Sequence, residues 1–297
     1  MNSNPHLYHR LLDRPARRRS MVALLLTTAI AASGGTSVPI KESGALTSYS
    51  KLGPAKGKLG KKRIFVEGQE LVRVKTVRII PTSFSFDAAS RIKSQADRFL
   101  VSNAMDRALC VALSDKYQLV PSGRPADLTV RSVVTDIVPT NKGVAAAATI
   151  ASVGGGFAIP SNIPLVGIPR IPFGLGGLAV EAEATDSSNV QRAAMMWSRG
   201  ANFIQDKPRY SEVGDAYGLA SKFASDFSRV LTTGKEPKML DISVPSRHRL
   251  KSWLGGRHKY TACEAFGRAP GLVGKVAGKY GLPPQWTEKR QMPSDAR

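Results

Sequence analysis

The sequence predicts an α+β domain: a small, mainly antiparallel sheet with two amphipathic helices on one face, ordered β, α, β, apolar Gly/Pro insert, β, β, α. Three observations carry that expectation. Residues 71–80, 127–138 and 178–199 contain short runs in which apolar and polar side chains alternate, the period of a strand. Two longer stretches, from about Ser90 to Lys116 and from Ser211 to Gly234, repeat apolar residues at helical spacing. Once a leader is set aside, the 297-residue chain is long enough for one medium domain plus appendages.

The leader is residues 1–32. Arg17, Arg18 and Arg19 precede twelve uncharged residues, 21–32, and then Ser33, Gly34 and Gly35. A helix of that length rises only about 18 Å, short of the roughly 30 Å hydrocarbon core. The segment therefore reads as a removable export signal rather than an anchor, with its positive flank directing the rest of the chain across the membrane. Ala29 and Ala31 fit the small-x-small rule for cleavage before Ala32, and a cut before Ser33 is the neighbouring register. Arg18 to Val22 also loosely fits a twin-arginine signal, so both export routes stay open.

Residues 33–62, rich in Gly, Ser, Pro and Lys, are expected as a flexible lead-in. They are not a phosphate-binding loop, because Ala55 stands where the first glycine should precede Gly60-Lys61. The α+β domain spans 63–233. Its first strand is expected over 64–66 and 71–80, ending at Pro81; Ile92, Ala96, Phe99, Leu100, Ala104, Ala108 and Val111 then mark a helix. Cys110 lies in that helix and is expected as a buried free thiol, since two cysteines this far apart, Cys110 and Cys263, make no disulfide framework. A turn at 121–125 leads into the strand 127–138.

The insert, 143–177, has no charged residue from 143 to 169. Its small side chains and Gly154-Gly155-Gly156 favour a loop over a spanning helix. Phe157 and Ile159 are its candidates for membrane or partner contact. A strand at 178–185, a turn at 186–189 and a partner strand at 190–199 follow as a hairpin. The last helix carries Val213, Ala216, Tyr217, Ala220, Phe223, Ala224, Phe227, Val230 and Leu231 on one stripe, with Gly234 at its C-cap.

The tail, 234–297, holds thirteen Lys/Arg against five Asp/Glu and is broken by prolines. Arg247, Arg249, Lys251, Trp253, Arg257, Lys259 and Tyr260 interleave cations with aromatic rings, which suits an interfacial segment on anionic lipid or a partner-binding surface. A merely solvated tail is the equal alternative. The whole-chain charge of +21 points to polyanions. For an exported protein the partners are an envelope lipid surface or an anionic envelope polymer, with homo-oligomerisation a further expectation and nucleic acid disfavoured.

No catalytic constellation, cofactor site or metal site is expected. The four histidines, His6, His9, His248 and His258, fall in the leader and the tail, leaving the domain without a base or His ligand. Asp127 and Asp136 are nine apart on one strand, so they face opposite sides and form no carboxylate pair. Glu212 and Asp215 suit the N-terminus of the last helix.

The leader, the segment Ser43-Gly44-Ala45-Leu46-Thr47-Ser48-Tyr49-Ser50-Lys51-Leu52, the strand from Val77 to Pro81, and Ala126-Asp127-Leu128 running to Thr135-Asp136 together resemble a family of uncharacterised proteobacterial envelope lipoproteins. The resemblance covers roughly residues 40–233 and implies an exported, non-enzymatic domain held near a membrane, with no known activity. Members usually carry a cysteine for acylation at the end of the leader. Here Ser33 stands in its place, and a serine cannot form the thioether. The expected function is an exported binding or scaffolding module held peripherally at the membrane, in the periplasm or at the outer-membrane periphery of a Gram-negative bacterium. The alternatives are an oligomeric pore or secretion accessory that uses the insert, and a nucleic-acid-binding protein.

Overall fold

The structure, a computed structural model, describes residues 38–57, 60–141, 175–202, 209–237 and 245–288. The expected cleavage region, Ala29, Ala31, Ala32 and Ser33, lies outside those residues, as do Phe157 and Ile159 of the insert.

The described elements are strand β1 (Gly60–Val66), helix α1 (Gly68–Arg73), β2 (Thr76–Ile79), β3 (Ser83–Phe84), α2 (Phe86–Arg91), α3 (Gln95–Leu113), β4 (Gln118–Val120), β5 (Leu128–Val138), β6 (Gly177–Asp186), β7 (Gln191–Gly200) and α4 (Gly214–Thr233). The tail adds α5 (Arg247–Trp253), a 3-10 turn (Thr261–Phe266), α6 (Gly271–Lys279) and a second 3-10 turn (Pro284–Trp286). Among the described residues the strands form one seven-stranded sheet in the order β1-β7-β6-β5-β2-β4, with β3 also paired to β5. The long pairs β1/β7, β7/β6 and β6/β5 are antiparallel, and the short strands β2, β3 and β4 join in parallel. The fold is α+β, as expected.

Helices α3 and α4 cover one face. Met105, Leu109, Phe223 and Phe227 pack there on Val130, Val134, Val180, Ala182, Met195 and Trp197. The Trp197 ring meets Phe223 edge-on at 5.9 Å, and Phe223 stacks on Phe227 at 6.0 Å. Burying side chains of this size contributes roughly 1.5–3 kcal/mol each.

The sheet has no wet face in its centre. Residues 38–57, expected as part of a flexible lead-in, lie across its second side as a strap, and Leu46 and Leu52 form a small cluster with Ala194 and Met196. Strand β6 is consequently buried on both sides although its sequence alternates.

The expected strand 71–80 needs correction, because only Thr76–Ile79 is extended and Leu71–Arg73 belong to α1. The chain leaves β1 at one edge and must reach β2 beyond β7, β6 and β5, so it crosses the helical face. As it crosses, Leu71 is buried and Val72 turns to solvent. Gly68 and Gly234 meet there backbone to backbone: a Cβ on Gly68 would come within 2.3 Å of the Gly234 carbonyl oxygen. Gly234 is also the left-handed C-cap of α4, at φ +67°, a conformation in which glycine is strongly preferred.

The cysteine expectation is corrected too. Cys110 is buried as expected, but it is disulfide-bonded to Cys263 across 153 residues of sequence. The pairing depends on the path of the tail, whose Thr261–Phe266 turn packs against α3 and brings the two Cα atoms to 5.7 Å.

Candidate functional site

Two carboxylates on β6 organise the second face. Glu181 and Glu183 are almost fully buried, yet each is saturated with donors. Glu181 accepts from the Ser43 backbone N–H (2.9 Å), the Ser43 hydroxyl (2.8 Å) and the Tyr49 hydroxyl (2.5 Å). Glu183 accepts from the Thr47 N–H (2.8 Å) and hydroxyl (3.1 Å), from Arg131 (2.5 Å) and from the Gln191 side-chain amide (2.9 Å). Burial alone would raise the Glu183 pKa, but the Thr47, Arg131 and Gln191 donors outweigh it and the net shift is downward. The Tyr49 hydroxyl shifts the other way, through its burial and the neighbouring Glu181 carboxylate. The cluster is a clamp that pins Ser43–Tyr49 to the sheet.

Other acidic groups also fasten the fold. Asp127 accepts from the Lys75 and Thr76 N–H groups at 2.9 and 2.8 Å and so caps β2, which lowers its pKa. Asp136 lies at a bulge of β5 and pairs with Arg91 at 3.2 Å. Asp215, read from sequence as a helix-dipole residue, does more. Its carboxylate accepts from the Thr140 hydroxyl (2.9 Å) and the Gly176 N–H (2.8 Å), gathering both roots of the insert at the start of α4.

The tail is fastened as well. Arg107, buried on α3, makes two bonds to Glu288, at 3.1 and 2.5 Å, and Glu288 also accepts from the Tyr217 hydroxyl. Burial works against the Arg107 charge, but Glu288 and Tyr217 raise its pKa overall. The Gln285 side-chain amide donates to Asp97 and Ser211 at 2.8 Å each.

The seven tail residues expected at a contact surface divide. Lys259 donates to the Ser114 carbonyl at 2.8 Å, Tyr260 packs against the main core, and Arg249 lies 4.0 Å from Asp115 and over the Trp253 ring. These three serve attachment of the tail to the domain. Arg247, Lys251, Trp253 and Arg257 are exposed. A larger apolar surface lies further on, at Leu272, Val273, Val276, Tyr280 and Trp286.

Among the described residues no group of three or more His, Cys, Asp or Glu is placed to hold a metal ion. His258 spends its Nε2 on the Gly267 carbonyl at 2.9 Å. No helix among the described residues is long and apolar enough to cross a membrane.

These features define a one-sheet α+β module strapped on one face, covered by helices on the other and closed by a disulfide-tied tail. The family model described as protein of unknown function (DUF3313) matches residues 41–227, and the chain belongs to that family. No curated protein matches the sequence. Among solved structures, the PelC dodecamer from Paraburkholderia phytofirmans is similar at 11% identity and a TM-score of 0.35, covering 60% of this chain and 99% of that one. A point variant of the same dodecamer gives 10% identity and a TM-score of 0.31 over the same shares.

Sequence reasoning missed Glu181 and Glu183 because alternation in β6 is the usual mark of a half-solvated strand. The available signal was the Ser43–Leu52 segment itself. Its hydroxyl-bearing residues, Ser43, Thr47 and Tyr49, are the donors to the buried carboxylates.

Proposed function

We propose that the chain is an exported envelope module that binds or scaffolds partners rather than catalysing a reaction, and that it is held peripherally at the membrane. The observation that carries this reading is the Cys110–Cys263 disulfide, buried between α3 and the tail. Disulfides form and persist in oxidising compartments, which agrees with the leader at residues 1–32. The non-enzymatic part is supported by how the acidic groups are used: Glu181, Glu183, Asp127 and Asp215 hold segments of the fold together. The basic tail, tied to the domain at Cys263 and Glu288, is the membrane-facing part.

Cell fractionation of a chain tagged at its C-terminus tests the reading. Shortened protein in the envelope or periplasmic fraction is expected. Full-length protein in the cytosol would defeat it.

A further inference from the structure

We infer that helix α6 is an interfacial element that lays its apolar stripe on an anionic lipid surface. The inference deepens the peripheral attachment proposed above, and rests on it for where the chain meets lipid in the cell.

The helix is amphipathic in the inverted sense. At about 100° per residue, Leu272, Val273, Val276 and Tyr280 fall within an arc of about 100°, and this arc points to solvent. Leu272, Val273, Val276 and Tyr280 are 67, 70, 57 and 66% exposed. The face turned to the protein carries the small residues Gly274, Ala277 and Gly278. Ala277 is buried, and a Cβ on Gly278 would touch the Arg209 guanidinium at 3.5 Å. A helix that only capped the domain would bury its Leu and Val. This one buries Ala and Gly and exposes the rest, and contiguous exposed apolar side chains mark interaction surfaces.

Charge decides the occupant. Lys275 and Lys279, both exposed, flank the stripe on one side, and residues 265–287 contain no Asp or Glu. Trp286, 71% exposed, and Tyr280 add rings of the kind enriched at the headgroup level of a membrane. Apolar residues on one stripe, lysines at its margin and amphipathic rings beside it match an element lying in the headgroup region of an anionic bilayer. Each such lysine strengthens attraction to an anionic surface. The helix is held to the domain by its neighbours: the Tyr210 N–H donates to Gly281 at 3.0 Å, and the disulfide and Glu288 lie on either side in sequence. Docking α6 therefore docks the domain.

The test places a reporter on the stripe. Full-length chain carrying Val276→Trp is mixed with vesicles of phosphatidylglycerol brominated in the acyl chains, and its emission is compared with that of the parent chain. The difference isolates residue 276 from the native tryptophans and from any binding through the leader. The reporter emission is expected to fall by about half or more. Lys275→Glu with Lys279→Glu should raise the half-saturating lipid concentration by about tenfold or more, and brominated phosphatidylcholine should quench far less. A chain that binds the vesicles while its reporter stays unquenched overturns the assignment. So does a reporter that responds only to protein concentration, which would make the occupant a second copy of the chain. Purified protein reports on lipid contact wherever the cell sends it, so this result and the fractionation result fail separately.

Discussion

Asp106 lies in the middle of α3, where its carboxylate accepts from the Thr82 N–H (2.9 Å) and hydroxyl (2.5 Å). Its complete burial outweighs those two bonds and raises the pKa from 3.8 to about 7. Between those values the native chain holds a proton that the unfolded chain has released, so stability falls as the pH rises from about 4 to about 7 and is level above. Asp106→Asn is neutral throughout and lacks that slope. In urea melts the variant should gain on the parent between pH 5 and pH 8, by on the order of a few kcal/mol. Parallel pH profiles for the two chains would show that Asp106 is not protonated in the native state. Nothing local in the sequence marks this residue, because Asp106 and Arg107 are adjacent charges in a helix whose apolar stripe suggests a polar outer side. Both are buried instead, Asp106 against Thr82 and Arg107 under the tail. Burial from partners distant in sequence leaves no local pattern.

At the scale of elements, the long helices and the hairpin were legible because each carries several periods of its own pattern. The expected strand 178–185 is found as β6, Gly177–Asp186, and the turn at 186–189 closes with Asn189 at a positive φ. Short elements were not legible. Leu71–Arg73 offers three residues, too few to distinguish a helical turn from a strand. From sequence the tail is either interfacial or merely solvated, and its packing is invisible there, since the disulfide and the Arg107–Glu288 pair join residues 153 and 181 apart. Those fasteners are testable. Cys263→Ala should cost about 2–4 kcal/mol by removing the long loop constraint. Arg107→Ala should also destabilise, since it leaves Glu288 buried without its charge partner. Limited proteolysis should then cut first within residues 245–288 in both variants. Parent-like melting and an intact tail in the Cys263 variant would mean that the disulfide does not hold that segment.

For the molecule as a whole, the sequence carried the α+β class, because it depends on periodicity within single stretches of chain. The strap escaped notice because its Gly, Ser and Lys content is also that of a loose linker. What fixes it is Glu181 and Glu183, more than 130 residues away. The segment Ser43–Tyr49, Asp127 and Asp136 all meet at the sheet, as clamp, cap and bulge. A fold closed this way by a buried disulfide is completed only where thiols are oxidised. The direct measurement is intact mass and N-terminal sequence of the protein from cells quenched with acid, denatured and alkylated without reductant. The account predicts a chain beginning at Ala32 or Ser33 with neither Cys110 nor Cys263 alkylated. A chain that begins at Met1 with both cysteines alkylated would contradict it.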